Sequence, residues 1–227
     1  QTFLFKHLLR EVGLKHGLNV VFMAKPLAHT PGSSMHIHQS VVEQVAGRNI
    51  FTDAAGEATP AFYHFIGGQQ AALAEFALLF APNVNSYQRF CHPYASPNNA
   101  CWSNDNRAAG LRIPASAPAA RRVENRLPGA DANPYLALAA SLAAGLHGLR
   151  EQVQPTAPIQ GEFEVPEGQS LPCTLHAALQ RLHASQLARE WFGQEFVEGY
   201  IASKTLELTS FLDEITPWER RVLAGQV

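Results

Sequence analysis

Gly32-Ser33-Ser34-Met35-His36-Ile37-His38-Gln39-Ser40 sets two imidazoles and a hydroxyl at every second position. In an extended strand successive side chains point to opposite faces, so His36, His38 and Ser40 share one face and Met35, Ile37 and Gln39 the other. A neutral imidazole binds divalent metal, and a second one on the same face can donate a hydrogen bond to a phosphate oxygen. The pattern reads equally as the polar outer face of an edge strand. The small, turn-rich residues 28–33 before it form a loop feeding a strand over 35–42.

Upstream of this stretch, Phe3, Leu4, His7, Leu8, Val12 and Leu14 recur at spacings of three and four, which predicts a helix over 2–16 ended by Gly17. Residues 19–23, β-branched and aromatic, read as a buried strand closed by Lys25-Pro26. Downstream, 47–56 is a hairpin or loop excursion and 61–80 one long apolar helix stopped at Pro82. Residues 83–104 lack a period, and a loop of that length is usually functional. Two further strands are expected at 111–114 and 121–127. Asn133-Pro134 is an N-cap followed by a first-turn proline, opening a core helix that runs to Leu149. After a Pro- and Gly-rich connection over 152–172, Leu175, Leu179 and Leu182 form one helical stripe, and Phe196, Tyr200, Lys204, Leu208 and Phe211 another.

The strand at 121–127 contains Arg122-Val123-Glu124-Asn125-Arg126, where alternation aligns Arg122, Glu124 and Arg126. A carboxylate between two guanidiniums is either a surface ion-pair ladder contributing under about 1 kcal/mol or a metal-binding carboxylate flanked by anion clamps. Arg107 and Arg112 in Asn106-Arg107-Ala108-Ala109-Gly110-Leu111-Arg112-Ile113-Pro114, with Arg89 upstream, add to the cluster. Such crowding of arginines is expected around polyanionic ligands, or on an ordinary basic surface offset by acids elsewhere.

The chain has 227 residues, 46 % apolar and 16 % charged, enough to bury a full core. Its net charge of −2 lacks the basic excess of nucleic-acid or anionic-membrane binders. Three cysteines, Cys91, Cys101 and Cys173, fit neither a disulfide framework nor a zinc spacing, which favours a reducing, cytoplasmic setting. No apolar run approaches the roughly 18 to 20 residues of a membrane span.

The order Lys25-Pro26, GSSMHIHQS at 32–40, NRAAGLRIP at 106–114, RVENR at 122–126 and ADANPYLA at 130–137 resembles glutamine synthetase over nearly the whole chain. The resemblance implies an α+β fold: part of the catalytic domain shared with guanidino kinases, with a curved, mostly antiparallel sheet backed by helices. It assigns residues 1–227 to the C-terminal portion of that domain. A β-grasp domain and the first part of the catalytic domain, with further metal-binding glutamates, would precede Gln1, and the fragment alone is expected to be inactive.

The resemblance also implies roles. His36 and Glu124 match the ligands of a Mg2+ or Mn2+ ion, while His38 and Ser40 lie along ATP. Gly32 matches a backbone contact to glutamate. Arg89 and Arg126 hold the glutamate carboxylate or the γ-phosphoryl region. Arg107, Arg112 and Arg122 surround the ATP phosphates, and Arg107, Arg112 and Arg126 are the catalytic arginines. The implied reaction forms γ-glutamyl phosphate and then a γ-glutamyl amide, in a homo-oligomer that family members build as a double-ring dodecamer. Ammonia-using members carry a flap written R-x-x-P-x-Y-E-A-P, whereas this chain has Ala95 at the Glu position in Arg89-Phe90-Cys91-His92-Pro93-Tyr94-Ala95-Ser96-Pro97. That departure resembles the γ-glutamylputrescine and γ-glutamylamine synthetase branch, so the expected acceptor is a polyamine or other amine. Ammonia is the second choice, and a non-catalytic relative that kept the scaffold is a third. The segment 159–168 lacks the Tyr that some bacterial members modify.

Overall fold

The computed structural model describes residues 1–90 and 96–226, so the flap positions Cys91 to Ala95 lie outside the described residues. Four three-residue strands form one sheet: β1 Ile37–Gln39, β2 Trp102–Asn104, β3 Leu111–Ile113 and β4 Val123–Asn125. Their order is β1-β4-β3-β2, with the β1/β4 and β4/β3 pairs antiparallel and β3/β2 parallel. The sheet is therefore mixed, with antiparallel pairing in the majority as expected. Register is what matters for function: His38 lies opposite Glu124, and Arg112 lies opposite Glu124 on its other side.

Strand β4 has no solvent face, since Val123, Glu124 and Asn125 are all buried. On the helix side a buried polar network takes the place of a purely apolar contact. Gln39 Oε1 accepts from Gln69 Nε2 (3.1 Å) and from Ser141 Oγ (2.5 Å), and Asn125 Nδ2 donates to Ser141 Oγ (3.2 Å). Gln69 belongs to α2 Pro60–Ala72 and Ser141 to α5 Pro134–Glu151, so the amides of β1 and β4 are locked to both helices that back the sheet. These helices cross closely because Gly68 and Gly148 meet at the crossing: a Cβ on Gly68 would lie 2.4 Å from Gly148 Cα. The core continues through Phe51, Phe62 and Phe65, whose rings pack at 5.1 to 5.4 Å.

Helix α1 Thr2–Lys15 forms as expected, and α5 begins on Asn133, whose Oδ1 accepts from the Tyr135 and Leu136 amides. The 47–56 excursion is also present, closed by the Val42–Asn49 and Thr52–Ala58 bridges. Other expectations are corrected. Residues 19–23 pair with no strand among the described residues; their aromatic Phe22 instead lies under Lys6 Nζ at 5.6 Å and the Arg10 guanidinium at 5.1 Å. The strands expected over 35–42 and 121–127 shorten to three residues each. The helix expected over 61–80 divides into α2 and α3 Ala77–Phe80, with Leu79 bonding back to Phe76 in a tight turn. Residues 76–82 are buried throughout, so no exposed face imposes a single helical course.

The supposed loop 83–104 contains α4 Val84–Gln88 and strand β2. At the start of α4 Ser86 Oγ accepts from Asn83 N (3.0 Å), and the Asn83 and Ser86 side chains both donate to Asp131 Oδ2 (2.9 and 2.6 Å). The C-terminal region carries α6 Leu175–Ala184, α7 Gln186–Phe192, α8 Gln194–Leu212 and α9 Pro217–Leu223. Among the described residues no helix is long and apolar enough to cross a membrane.

Candidate active site

The site grows out of the register. Because His38, Glu124 and Arg112 stand in one row across β1, β4 and β3, side chains two residues along those strands also fall together. Glu124, only 2 % exposed, is the hub. Arg112 Nη1 donates to its Oε2 at 2.8 Å, Arg126 Nη1 donates to its Oε1 at 2.9 Å, and His36 Nδ1 lies 2.9 Å from Oε1. Burial alone would raise the Glu124 pKa, but the Arg112 hydrogen bond and the Arg126 charge outweigh it and hold the carboxyl below its usual range. Burial, reinforced by Arg126, brings His36 down to about 4 against the opposing pull of Glu124, so the imidazole is neutral near pH 7.

These groups open onto a cavity of about 400 Å³ lined by Gly32, Ser34, His36, Ser96, Arg107, Arg112, Glu124 and Arg126, with Pro31 at its edge. Gly32 reaches it through a close backbone approach. A Cβ there would sit 2.5 Å from Ala24 O and 2.8 Å from Arg89 Cγ, while Ser33 N donates to Ala24 O at 2.8 Å. The loop is stitched on its far side by Ala130 N donating to Ser33 O and Met35 N donating to Pro128 O.

The cavity brings together Gly32, His36, Arg107, Arg112, Glu124 and Arg126 from the sequence reading. Arg89 is placed differently. It is 2 % exposed, stacks on Phe90 at 4.7 Å, and donates to Ser34 Oγ (3.0 Å) and the Leu127 carbonyl. It stands behind the Gly32 loop, and desolvation lowers its pKa to about 10. His38 and Ser40 do not line the cavity, although His38 Nε2 lies 3.8 Å from Glu124 Oε1. His38 Nδ1 accepts from Arg122 Nε at 3.1 Å, and Ser40 is exposed just past the end of β1.

Three participants were given no site role in the sequence reading. Asp105 Oδ1 accepts from Arg112 Nε at 3.1 Å and also from Nη2. Ser34 Oγ supplies an acceptor for Arg89 Nη1. Asn99 Oδ1 accepts from Gly110 N and Cys101 N and its Nδ2 donates to Ala108 O, fixing the turn that carries Arg107. Only Asp105 had a sequence signal, as an acid seven residues before an arginine.

As a metal site, His36 and Glu124 offer two converging donors, one of them neutral imidazole. Magnesium and manganese take about six mostly oxygen ligands, and no group of three His, Cys, Asp or Glu side chains assembles among the described residues. The pair therefore fits one side of a divalent site whose other ligands would be phosphate, water or further protein oxygens.

A family profile described as glutamine synthetase, catalytic domain, matches residues 1–223. Glutamate–isopropylamine ligase from a Pseudomonas species is 38 % identical over 219 residues, covering 94 % of this chain and 48 % of that protein. Type-1 glutamine synthetase 2 from Dictyostelium discoideum is 35 % identical over 226 residues, covering 96 % of this chain and 43 % of that protein. A solved structure titled "Apo GmaS without ligand" superposes with a TM-score of 0.84 at 33 % identity, covering 96 % of this chain and 51 % of its own. The chain thus spans about half the length of the relatives it matches. With the profile running over nearly every residue and a solved relative sharing the fold, this chain belongs to the glutamine synthetase family.

Proposed function

We propose that the protein carrying this chain is an ATP-dependent glutamate–amine ligase. The observation that carries the reading is the Glu124 hub: a buried carboxylate gripped by Arg112 and Arg126 at a cavity that Arg107 and the Gly32 loop also line. Chemistry that transfers a phosphoryl group needs charge neutralised and reactants held in line rather than a covalent nucleophile. In this reading the glutamate γ-carboxylate oxygen attacks the γ-phosphorus of ATP and ADP leaves. The amine nitrogen then attacks the acyl carbon of γ-glutamyl phosphate, inorganic phosphate leaves, and the nitrogen gives up a proton.

Arg126, 4 % exposed and held by Glu124, has a fixed approach to the transferring group. Arg112 and Arg107 face the same space and would meet the phosphate oxygens, with Arg122, His38 and Ser40 extending the contact toward the rest of ATP. Gly32 would offer its backbone to glutamate at the cavity wall, since the missing Cβ lets the loop pack closely on Ala24 O and Arg89 behind it. A Mg2+ or Mn2+ ion held by His36 and Glu124 would offset negative charge on the phosphates. A homo-oligomeric double ring belongs to the same reading; Leu206, Leu212 and Trp218 on α8 and α9 are exposed apolar side chains available to such contacts.

Ala95 in place of the flap Glu supports an amine acceptor over ammonia, as does the similarity to a protein named glutamate–isopropylamine ligase. The test is glutamate-dependent phosphate release from ATP by the purified protein, comparing ammonia with isopropylamine, ethanolamine and putrescine. Higher kcat/KM for one of the amines is expected. Equal or better use of ammonia would make it a glutamine synthetase, and absence of glutamate-dependent release with every acceptor would make it a non-catalytic relative.

A further inference from the structure

Arg112 stands between two carboxylates. Its Nη1 donates to Glu124 Oε2 at 2.8 Å inside the cavity, while Nε and Nη2 both point to Asp105 Oδ1 on the outer side. The guanidinium is thus held along one edge by Asp105, and its remaining nitrogen projects over the cavity. The acid that does this sits just after β2 in an unusual backbone: Asp105 has φ +49. Among the described residues the other non-glycine with positive φ is Gln152, which caps the C-terminus of α5. Asp105 ends no helix, yet its conformation is fixed from several sides. Its amide donates to Ile113 O at 2.9 Å, and the next residue, Asn106, accepts from Ala108 N and donates to Gly161 O, both at 2.9 Å. Left-handed backbone at a non-glycine residue persists where the surroundings determine it, and such positions cluster at functional sites. The side chain of Asp105 is 55 % exposed, so the ion pair adds little to folding; what it fixes is the direction of Arg112.

We infer that Asp105 is a positioning residue for phosphoryl transfer, holding Arg112 by its outer edge so that Nη1 can pass from Glu124 to the incoming phosphoryl oxygens without the side chain swinging into solvent. This rests on the ligase reading above. The Arg112 hydrogen bond holds the Asp105 carboxyl below its usual range, so the grip is present throughout the neutral pH region.

The test uses two variants of the protein carrying this chain, with the faster acceptor found for the wild type. Asp105→Gly removes the carboxylate and relaxes the positive φ, which protects the fold; Asp105→Asn tolerates the left-handed backbone and keeps one acceptor oxygen. Misplacing a transition-state group by about 1 Å can lower a rate about 100-fold, so Asp105→Gly should lower kcat about tenfold or more with the glutamate KM within about twofold. Asp105→Asn should recover most of that loss, and melting temperatures should be close for all three proteins. Preference for ATP over ADP in equilibrium binding should also shrink in Asp105→Gly, because Arg112 no longer meets the γ-phosphate. Wild-type kcat and an unchanged ATP-over-ADP ratio in Asp105→Gly would overturn the inference. If the wild type itself shows no glutamate-dependent turnover, the ligase reading falls, and the ATP-over-ADP ratio alone decides the role of Asp105.

Discussion

Replacing Glu124 by Gln tests whether the hub holds the site together or only serves ligands. Its two oxygens face Arg112 Nη1 at 2.8 Å, Arg126 Nη1 at 2.9 Å and His36 Nδ1 at 2.9 Å, with 2 % of the residue exposed. A hydrogen bond to a charged group contributes about 1.5–3 kcal/mol, and removing one partner of a buried ion pair costs about 3–5 kcal/mol because the other is left uncompensated. Gln preserves volume and one acceptor oxygen, but turns an amide NH2 toward a guanidinium. Asp105 still neutralises Arg112, so the loss falls mainly on Arg126, buried and without a second carboxylate in contact among the described residues. The balance is about 3 kcal/mol, and at about 2–4 °C per kcal/mol for a chain of this size it lowers the melting temperature by about 6–12 °C. Calorimetry of wild type and Glu124→Gln in chelator-treated buffer reads this directly. The difference should persist at high ionic strength, since buried pairs are poorly screened. An unchanged or raised melting temperature would refute the reasoning, because it would show that the two guanidiniums need no counter-charge in the absence of ligands.

Gly32→Ala places a methyl 2.5 Å from Ala24 O, a backbone atom, and 2.8 Å from Arg89 Cγ. The loop must shift, lowering stability by about 1–3 kcal/mol and raising the glutamate KM more than it lowers kcat, as steady-state kinetics with varied glutamate would show. Asn125→Ala strips Ser141 of a donor and Leu127 N of its acceptor in a fully buried setting; urea unfolding should show a loss of about 2 kcal/mol.

Alternation alone put Glu124 beside Arg126 and His36 beside His38, and the structure keeps both pairs even though Arg126 and His36 lie one residue outside β4 and β1: Arg126 Nη1, His36 Nδ1 and His38 Nε2 all approach Glu124 Oε1, at 2.9, 2.9 and 3.8 Å. What spacing could not supply is which strands adjoin. The row His38, Glu124, Arg112 depends on long-range pairing across β1, β4 and β3, so the hub was visible from motif resemblance rather than from any local pattern. Arg89 was read as a ligand-facing residue of an irregular loop. Its burial follows from α4, whose start is held by Asp131, 48 positions from Asn83 and invisible to local reading. The 61–80 helix failed for the opposite reason: a segment apolar on every side has no period to mark where it turns. Residues 19–23 had the composition of a strand but spend their aromatic side chain on the cations of α1.

The two-sided burial of β4 has a consequence for how the chain finds its fold. A slip of one residue in its pairing would exchange the faces, sending the Glu124 carboxylate in among α2 and α5 and turning the Asn125 amide toward the arginines. An unpaired charge in that layer carries a penalty of several kcal/mol, whereas a slip in a strand of plain aliphatic residues would meet only imperfect packing. The ion pairs of Glu124 with Arg112 and Arg126 thereby favour one register of the sheet over its neighbours, in addition to shaping the cavity.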